Sequence, residues 1–129
     1  MTWEFKGDRP IYIQLIEQIQ MRIVSGQYPA GSKLPAVRDL AAEASVNPNT
    51  MQKALAELER DGLVHTQRTA GRFITEDHEM IRSIREKLAR EQVALFFEKM
   101  GQLGISREET LRLLQTADAE PKKPEKESA

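Results

Sequence analysis

The stretch whose reading decides the fold is Val37-Arg38-Asp39-Leu40-Ala41-Ala42-Glu43-Ala44-Ser45-Val46-Asn47-Pro48-Asn49-Thr50-Met51-Gln52-Lys53-Ala54-Leu55-Ala56-Glu57-Leu58-Glu59-Arg60-Asp61-Gly62. Val37, Leu40, Ala41 and Ala44 recur at three- and four-residue spacing, which gives a short helix one buried stripe. Ser45-Val46 then makes a tight turn. Asn47 has a side-chain oxygen able to accept an orphan amide of a following helix, and Pro48 suits its first position, where no N–H is needed. Met51, Ala54, Leu55 and Leu58 gather on one side of that helix, which runs from Pro48 to about Asp61 and stops at Gly62. Asn49, Gln52, Lys53, Ala56 and Arg60 occupy the opposite side.

Working outward, Pro10 opens an upstream helix in which Ile11, Tyr12, Leu15, Ile16, Ile19 and Ile23 form one apolar face. Gly26 ends it, and Tyr28-Pro29-Ala30-Gly31-Ser32 reads as a turn. Downstream, Leu63–Thr66 and Arg72–Thr75 lean to strand, with Gln67 to Gly71 as a hairpin loop. The expected fold is therefore mainly α with a small β-hairpin, a winged helix-turn-helix. In such a fold the second helix braces the third, whose N-terminal residues enter the major groove of DNA, where each base pair shows a distinct donor–acceptor pattern. Asn49 and Gln52 carry amides suited to adenine, and Lys53 reaches guanine or phosphate. Thr50 and the free backbone amides at the helix start suit phosphate. An Asn/Gln/Lys face alone is ordinary solvated helix surface, and it is the ordered combination that points to DNA. Arg68, Gly71 and Arg72 fit a wing that touches the DNA backbone or enters the minor groove, and Arg38 adds a charge nearby. The expected DNA-binding set is Arg38, Asn47, Pro48, Asn49, Thr50, Gln52, Lys53, Arg68, Gly71 and Arg72.

Residues 10–75 resemble the DNA-binding domain of the GntR family of bacterial regulators. The resemblance rests on Pro10-Ile11-Tyr12 with Gln14-Leu15, Gly26, Pro29-Ala30-Gly31, Lys33-Leu34-Pro35, Arg38-Asp39-Leu40-Ala41, Val46-Asn47, Thr50, Ala54-Leu55 with Leu58, Asp61-Gly62 and Gly71. Asn47-Pro48-Asn49-Thr50 and the short C-terminal part resemble the YtrA-like subfamily. The resemblance implies DNA contacts from Arg38, Asn47, Asn49, Thr50, Gln52, Lys53 and the wing at Gly71. It also implies repression of a neighbouring operon, often one for a membrane transporter. The chain departs from many members at Ala36, where a serine would cap the second helix and face a phosphate.

Bulk properties narrow the alternatives. A chain of 129 residues with 40% hydrophobic content, 30% charged content and a formal net charge of −1 is expected to be a soluble globular protein. Net charge does not advertise nucleic-acid binding: residues 1–75 hold nine Lys/Arg against eight Asp/Glu, and residues 76–129 ten against twelve. Any DNA-binding surface must come from local charge placement. There is no cysteine, hence no thiol chemistry and no thiolate metal site. His65 and His78 lack partners at ligand spacing, so neither metal nor cofactor is expected. No Gly-rich phosphate loop or histidine pair suggests an enzyme. The absence of a long apolar run or a secretory leader points to the cytoplasm and away from membranes. The rival reading is a winged-helix module that binds proteins without sequence-specific DNA binding.

From Asp77 a stretch free of glycine and proline reaches Met100, enough for about 36 Å of helix. Ser106-Arg107-Glu108-Glu109 is a capping box that opens a short helix with Leu111, Leu113 and Leu114. Some 40 residues after the wing are too few for an independent ligand-binding core. The apolar residues Ile84, Leu88, Val93, Leu95, Phe96, Phe97 and Met100 therefore read as a homodimerisation surface, two-fold dimers being the commonest oligomers. A small-molecule effector beside Phe96-Phe97 is a further expectation. The expected domains are a DNA-binding domain over 1–75, a helical two-helix dimerisation segment over 76–116, and a Pro/Lys/Glu-rich disordered tail over 117–129.

Overall fold

In a computed structural model, which describes residues 2–119, the chain forms α1 (Ile11–Val24), α2 (Val37–Ala44), α3 (Pro48–Arg60), β1 (Val64–Gln67), β2 (Gly71–Ile74), α4 (His78–Gln102) and α5 (Arg107–Ala119). The two strands pair antiparallel, with Val64 opposite Ile74 and Gln67 opposite Gly71. The chain divides into two compact units that part between Leu88 and Ala89.

The first unit is built on the apolar stripes read from the sequence. Leu15, Ile19 and Ile23 of α1 meet Leu40, Ala41 and Ala44 of α2 and Met51, Ala54, Leu55 and Leu58 of α3, all buried. Leu34, Leu63, Val64 and Ile74 close this core from the wing side. Between α2 and α3 the chain reverses at Ser45, which takes a left-handed φ of 57° while the Val46 amide donates to Ala41 O. That compact turn lets α2 brace α3. Ala36 stands at the N-cap of α2 in extended conformation and offers no side-chain cap. An Ala36→Ser variant is accordingly expected to gain about 1 kcal/mol of stability, read as a rise in the denaturant midpoint.

Residues 2–9, for which the sequence predicted no element, form an irregular strap along α1 that turns at Gly7-Asp8. The buried Gln14 takes the Lys6 amide on Oε1 and donates from Nε2 to the carbonyls of Lys6 and Arg9. Gln18 exchanges a similar pair with the backbone of Glu4. Four residues make about one helical turn, so the two amides present themselves to alternate strap residues. The Arg22 guanidinium lies 3.6 Å from the Trp3 ring centroid.

The boundary between units falls later than the expected 75/76. The reason is that Met80, Ile81 and Ile84 of α4 pack against the winged core. Ile84, expected at a dimer seam, is thus engaged within its own first unit. In the second unit α4 runs on through Gly101, which stays helical, and the stop comes from Gly104 at φ 80°. Ser106 caps α5 by accepting the Glu109 amide, as its capping box predicts. Thr110, fully buried, donates its hydroxyl to Ser106 O. α5 extends to Ala119, three residues beyond the expected end of the helical segment, because residues 117–119 contain no helix breaker. The rest of the expected tail, residues 120–129, lies outside the described residues.

Candidate DNA-binding surface

The start of α3 is organised by Asn47 and Pro48. The Asn47 Oδ1 accepts the Asn49 amide at 2.7 Å, and the Asn47 carbonyl accepts the amides of Thr50 and Met51. Asn47 is therefore structural through its oxygen, while its NH2 points no hydrogen bond at a protein partner among the described residues. Asn47, Pro48, Asn49, Gln52, Lys53 and Ala56 are exposed, and Thr50 is half-buried. Asn49, Gln52, Lys53 and Ala56 stand three and four residues apart, so they share one helix face. The side-chain amides of Asn49 and Gln52 have no hydrogen-bond partner among the described residues.

Lys53 is not a free-swinging charge. Its Nζ lies 3.8 Å from the ring centroid of Tyr12 on α1, an attraction between a cation and the negative face of the ring. That contact restrains the lysine while leaving it exposed. Tyr12 belongs to the site by this contact, which sequence reasoning did not supply.

The wing is wider than the two-stranded hairpin expected. Lys33 forms a bridge with Phe73, the Leu34 amide donates to Arg72 O, and the Ile74 amide donates to Ser32 O. Residues 32–34 thus lie along β2 as a third short edge. At the tip the Ala70 amide closes a turn onto Gln67 O, and Thr69 adopts a left-handed φ of 67°. Gly71 is favoured by its φ of 110°, a conformation that side-chain-bearing residues rarely adopt; the Lys33 Cε that a Cβ there would meet at 2.9 Å ends a flexible chain free to move aside. Arg68 is exposed at this tip, and Arg38 is exposed near the start of α2; neither guanidinium has an ion-pair partner among the described residues. Lys33, Val37, Asp39, Thr69 and Gly71 line an open cleft between the start of α2 and the wing.

Arg72 has a partner within the protein that the sequence did not predict. Its Nε donates to Glu59 Oε1 at 2.6 Å, and the two side chains keep only 20% and 30% of their exposure. The hydrogen bond from Arg72 holds the Glu59 carboxyl below the usual carboxylate range, against the opposing effect of partial burial. One of the five guanidinium N–H groups is thus taken by a helix carboxylate. The partner lies 13 residues away in sequence, on another element, which is why strand pattern alone did not reveal it.

In the second unit α4 has no buried residue. Phe97 meets Phe96 edge to face at 5.9 Å, and Arg107 stacks its guanidinium 4.4 Å from the Phe97 centroid. Phe97 and Met100 are half-buried, as is Leu88 at the end of the first unit, whereas Val93, Leu95 and Phe96 are exposed. Among the described residues, seven of the nine large apolar side chains that are exposed belong to this unit. Among the described residues no cluster of His, Cys, Asp and Glu is placed to hold a metal, and no helix is long and apolar enough to cross a membrane.

A winged helix-turn-helix with an exposed amide-bearing face on its third helix defines a class of DNA-binding regulators, and the chain belongs to the GntR family. Residues 11–74 match the family described as "Bacterial regulatory proteins, gntR family". The chain is 41% identical over 116 residues to the uncharacterized HTH-type transcriptional regulator YhcF of Bacillus subtilis, covering 90% of this chain and 96% of that protein. It is 43% identical over 72 residues to the HTH-type transcriptional repressor YtrA of the same organism, covering 56% of this chain and 55% of YtrA. Among solved structures, a GntR family transcriptional regulator from Listeria monocytogenes superposes with a TM-score of 0.78 at 38% identity, covering 87% of this chain and 98% of that one. The DNA-binding domain of AraR in complex with operator ORX1 superposes with a TM-score of 0.53 at 27% identity, covering 58% of this chain and 99% of that one. The chain is therefore a DNA-binding transcription regulator of this family, and its relatives are regulators, not enzymes.

Proposed function

We propose that this regulator is of the YtrA-like type, binds a palindromic operator as a cytoplasmic homodimer and represses a neighbouring operon, with transporter genes the first to examine. The observation that carries the DNA reading is the capped start of α3, which holds Asn49, Gln52 and Lys53 exposed on one face without committing their polar groups to a fixed ion pair or hydrogen bond. The superposition on an operator-bound domain supports it. The remaining expected contacts, Arg38, Thr50, Arg68 and Gly71, belong to the same proposal as groups for the DNA backbone and minor groove.

The homodimer is supported by the apolar excess of the second unit. Val93, Leu95 and Phe96 are 53%, 49% and 40% exposed. Leu103, Leu111, Leu113 and Leu114 add to that surface. They stand exposed among the described residues, and the same surface on a second copy is self-complementary under two-fold symmetry. Leu88, Phe97 and Met100 would extend the contact from their half-buried positions. Two recognition helices then meet half-sites about one helical turn apart.

Titration of a labelled operator against salt tests the function. Binding through several phosphates weakens with a log–log slope of about −0.9 per phosphate neutralised. A shallow slope, with tight binding to a protein partner, would favour the protein-interaction reading. A small-molecule effector beside Phe96-Phe97 would appear in calorimetry against a metabolite panel, and silence across that panel would remove it.

A further inference from the structure

We propose that Glu59 is a positioning residue for DNA binding, acting through Arg72 to fix the wing against the recognition helix. The inference rests on the DNA-binding reading and goes beyond it by assigning Arg72 a role other than phosphate contact. Glu59 is the penultimate residue of α3, and Arg72 is the second residue of β2. Their 2.6 Å bond is the ion pair that joins the helix to the hairpin among the described residues. The other three described pairs join residues within one helix or the strap to α1. Arg72 sits opposite Thr66 in the hairpin register, so anchoring it anchors both strands.

The consequence is geometric. A two-stranded hairpin is marginally stable by itself; here buried Val64 and Ile74 and the edge at residues 32–34 hold its base, and the Glu59–Arg72 pair ties its outer half to α3. The recognition helix carries the exposed amides, and the wing tip carries Arg68. Gripping one duplex at both places costs less ordering free energy when their separation is set in advance. The clip supplies that setting. Glu59 is half-buried under the hairpin, and its charge is neutralised by Arg72, so it does not confront a phosphate as an isolated anion.

The two roles open to Arg72 differ in sign at Glu59. Were Arg72 a phosphate contact held back by Glu59, removing the carboxylate would free the guanidinium and tighten binding. A clip predicts the reverse: Glu59→Ala weakens binding although it removes a negative charge from a DNA-binding domain. The experiment measures affinity for a selected duplex against salt, for the wild type, Glu59→Ala, Arg72→Ala, the double variant, and the exchanged pair Glu59→Arg/Arg72→Glu. The expected result is a loss of about three- to tenfold in each single variant, no further loss in the double, and recovery in the exchanged pair. The salt slope is expected to stay that of the wild type throughout. Amide hydrogen exchange of the free protein supplies a readout without DNA: the β1 and β2 amides should exchange faster in both single variants, while those of α1 stay protected. Tighter binding by Glu59→Ala, additive losses, or a slope reduced by about one in Arg72→Ala would overturn the clip and make Arg72 a phosphate contact. Unchanged hairpin exchange would overturn it as well. A wild type that binds no duplex, with exchange behaving as expected, would instead reject the DNA-binding reading and leave the clip as a structural feature of the wing.

Discussion

Replacing Val93 and Phe96 by glutamate is expected to convert the proposed dimer to a monomer and to lower operator affinity about 10²- to 10⁴-fold, the range lost when two linked binding modules become independent. Both side chains are substantially exposed in the single chain, so the substitutions place charge where water already reaches and leave the fold of one copy intact. Glutamate rather than lysine is chosen so that no positive charge is added that could itself attract DNA. Sedimentation reads the mass, circular dichroism checks that helix content is retained, and a fluorescence anisotropy titration reads affinity. A variant that stays dimeric would move the interface elsewhere, to the α5 leucines first. A monomeric variant with undiminished affinity would show that operator binding does not use two copies.

Asn49→Ala is expected to weaken binding to the preferred operator by about 1–3 kcal/mol and to relax base preference at one position in each half-site. Asn49 is the first polar residue of α3, its side chain exposed with no hydrogen-bond partner among the described residues, and its backbone amide is already satisfied by Asn47. Truncation therefore removes a base-reading group without disturbing the cap. Affinity for non-specific duplex should stay nearly constant, because phosphate contacts dominate that term. Equal loss on specific and non-specific DNA would assign Asn49 to the backbone; no loss on either would remove it from the interface.

Those parts of the fold that depend on neighbouring residues were legible in the sequence. The Asn47–Pro48 start of α3 needs only a side chain that reaches two residues on, and it appears as expected at 2.7 Å. The apolar stripes of α1, α2 and α3 follow from helical period and form the core. The hairpin was placed to within a residue at each strand. What escaped were interactions set by tertiary approach. The strap over α1 depends on two glutamines meeting a backbone that has no apolar period of its own. The third edge of the wing, at Lys33 and Leu34, pairs with residues about forty positions away. Arg72 looks like any wing arginine until Glu59 is seen beside it. Gly101 shows why a glycine is a weak stop signal: it remains helical here, and only Gly104 takes the left-handed conformation that ends the helix. Ile84 shares an apolar stripe with Leu88, and sequence period cannot say which neighbour each one meets.

Selection of bound duplexes from a random DNA pool, using the full chain at low salt, addresses the central claim most directly. The account predicts enrichment of an inverted repeat whose half-sites lie about one helical turn apart. A pool that emerges as random as it entered would contradict it.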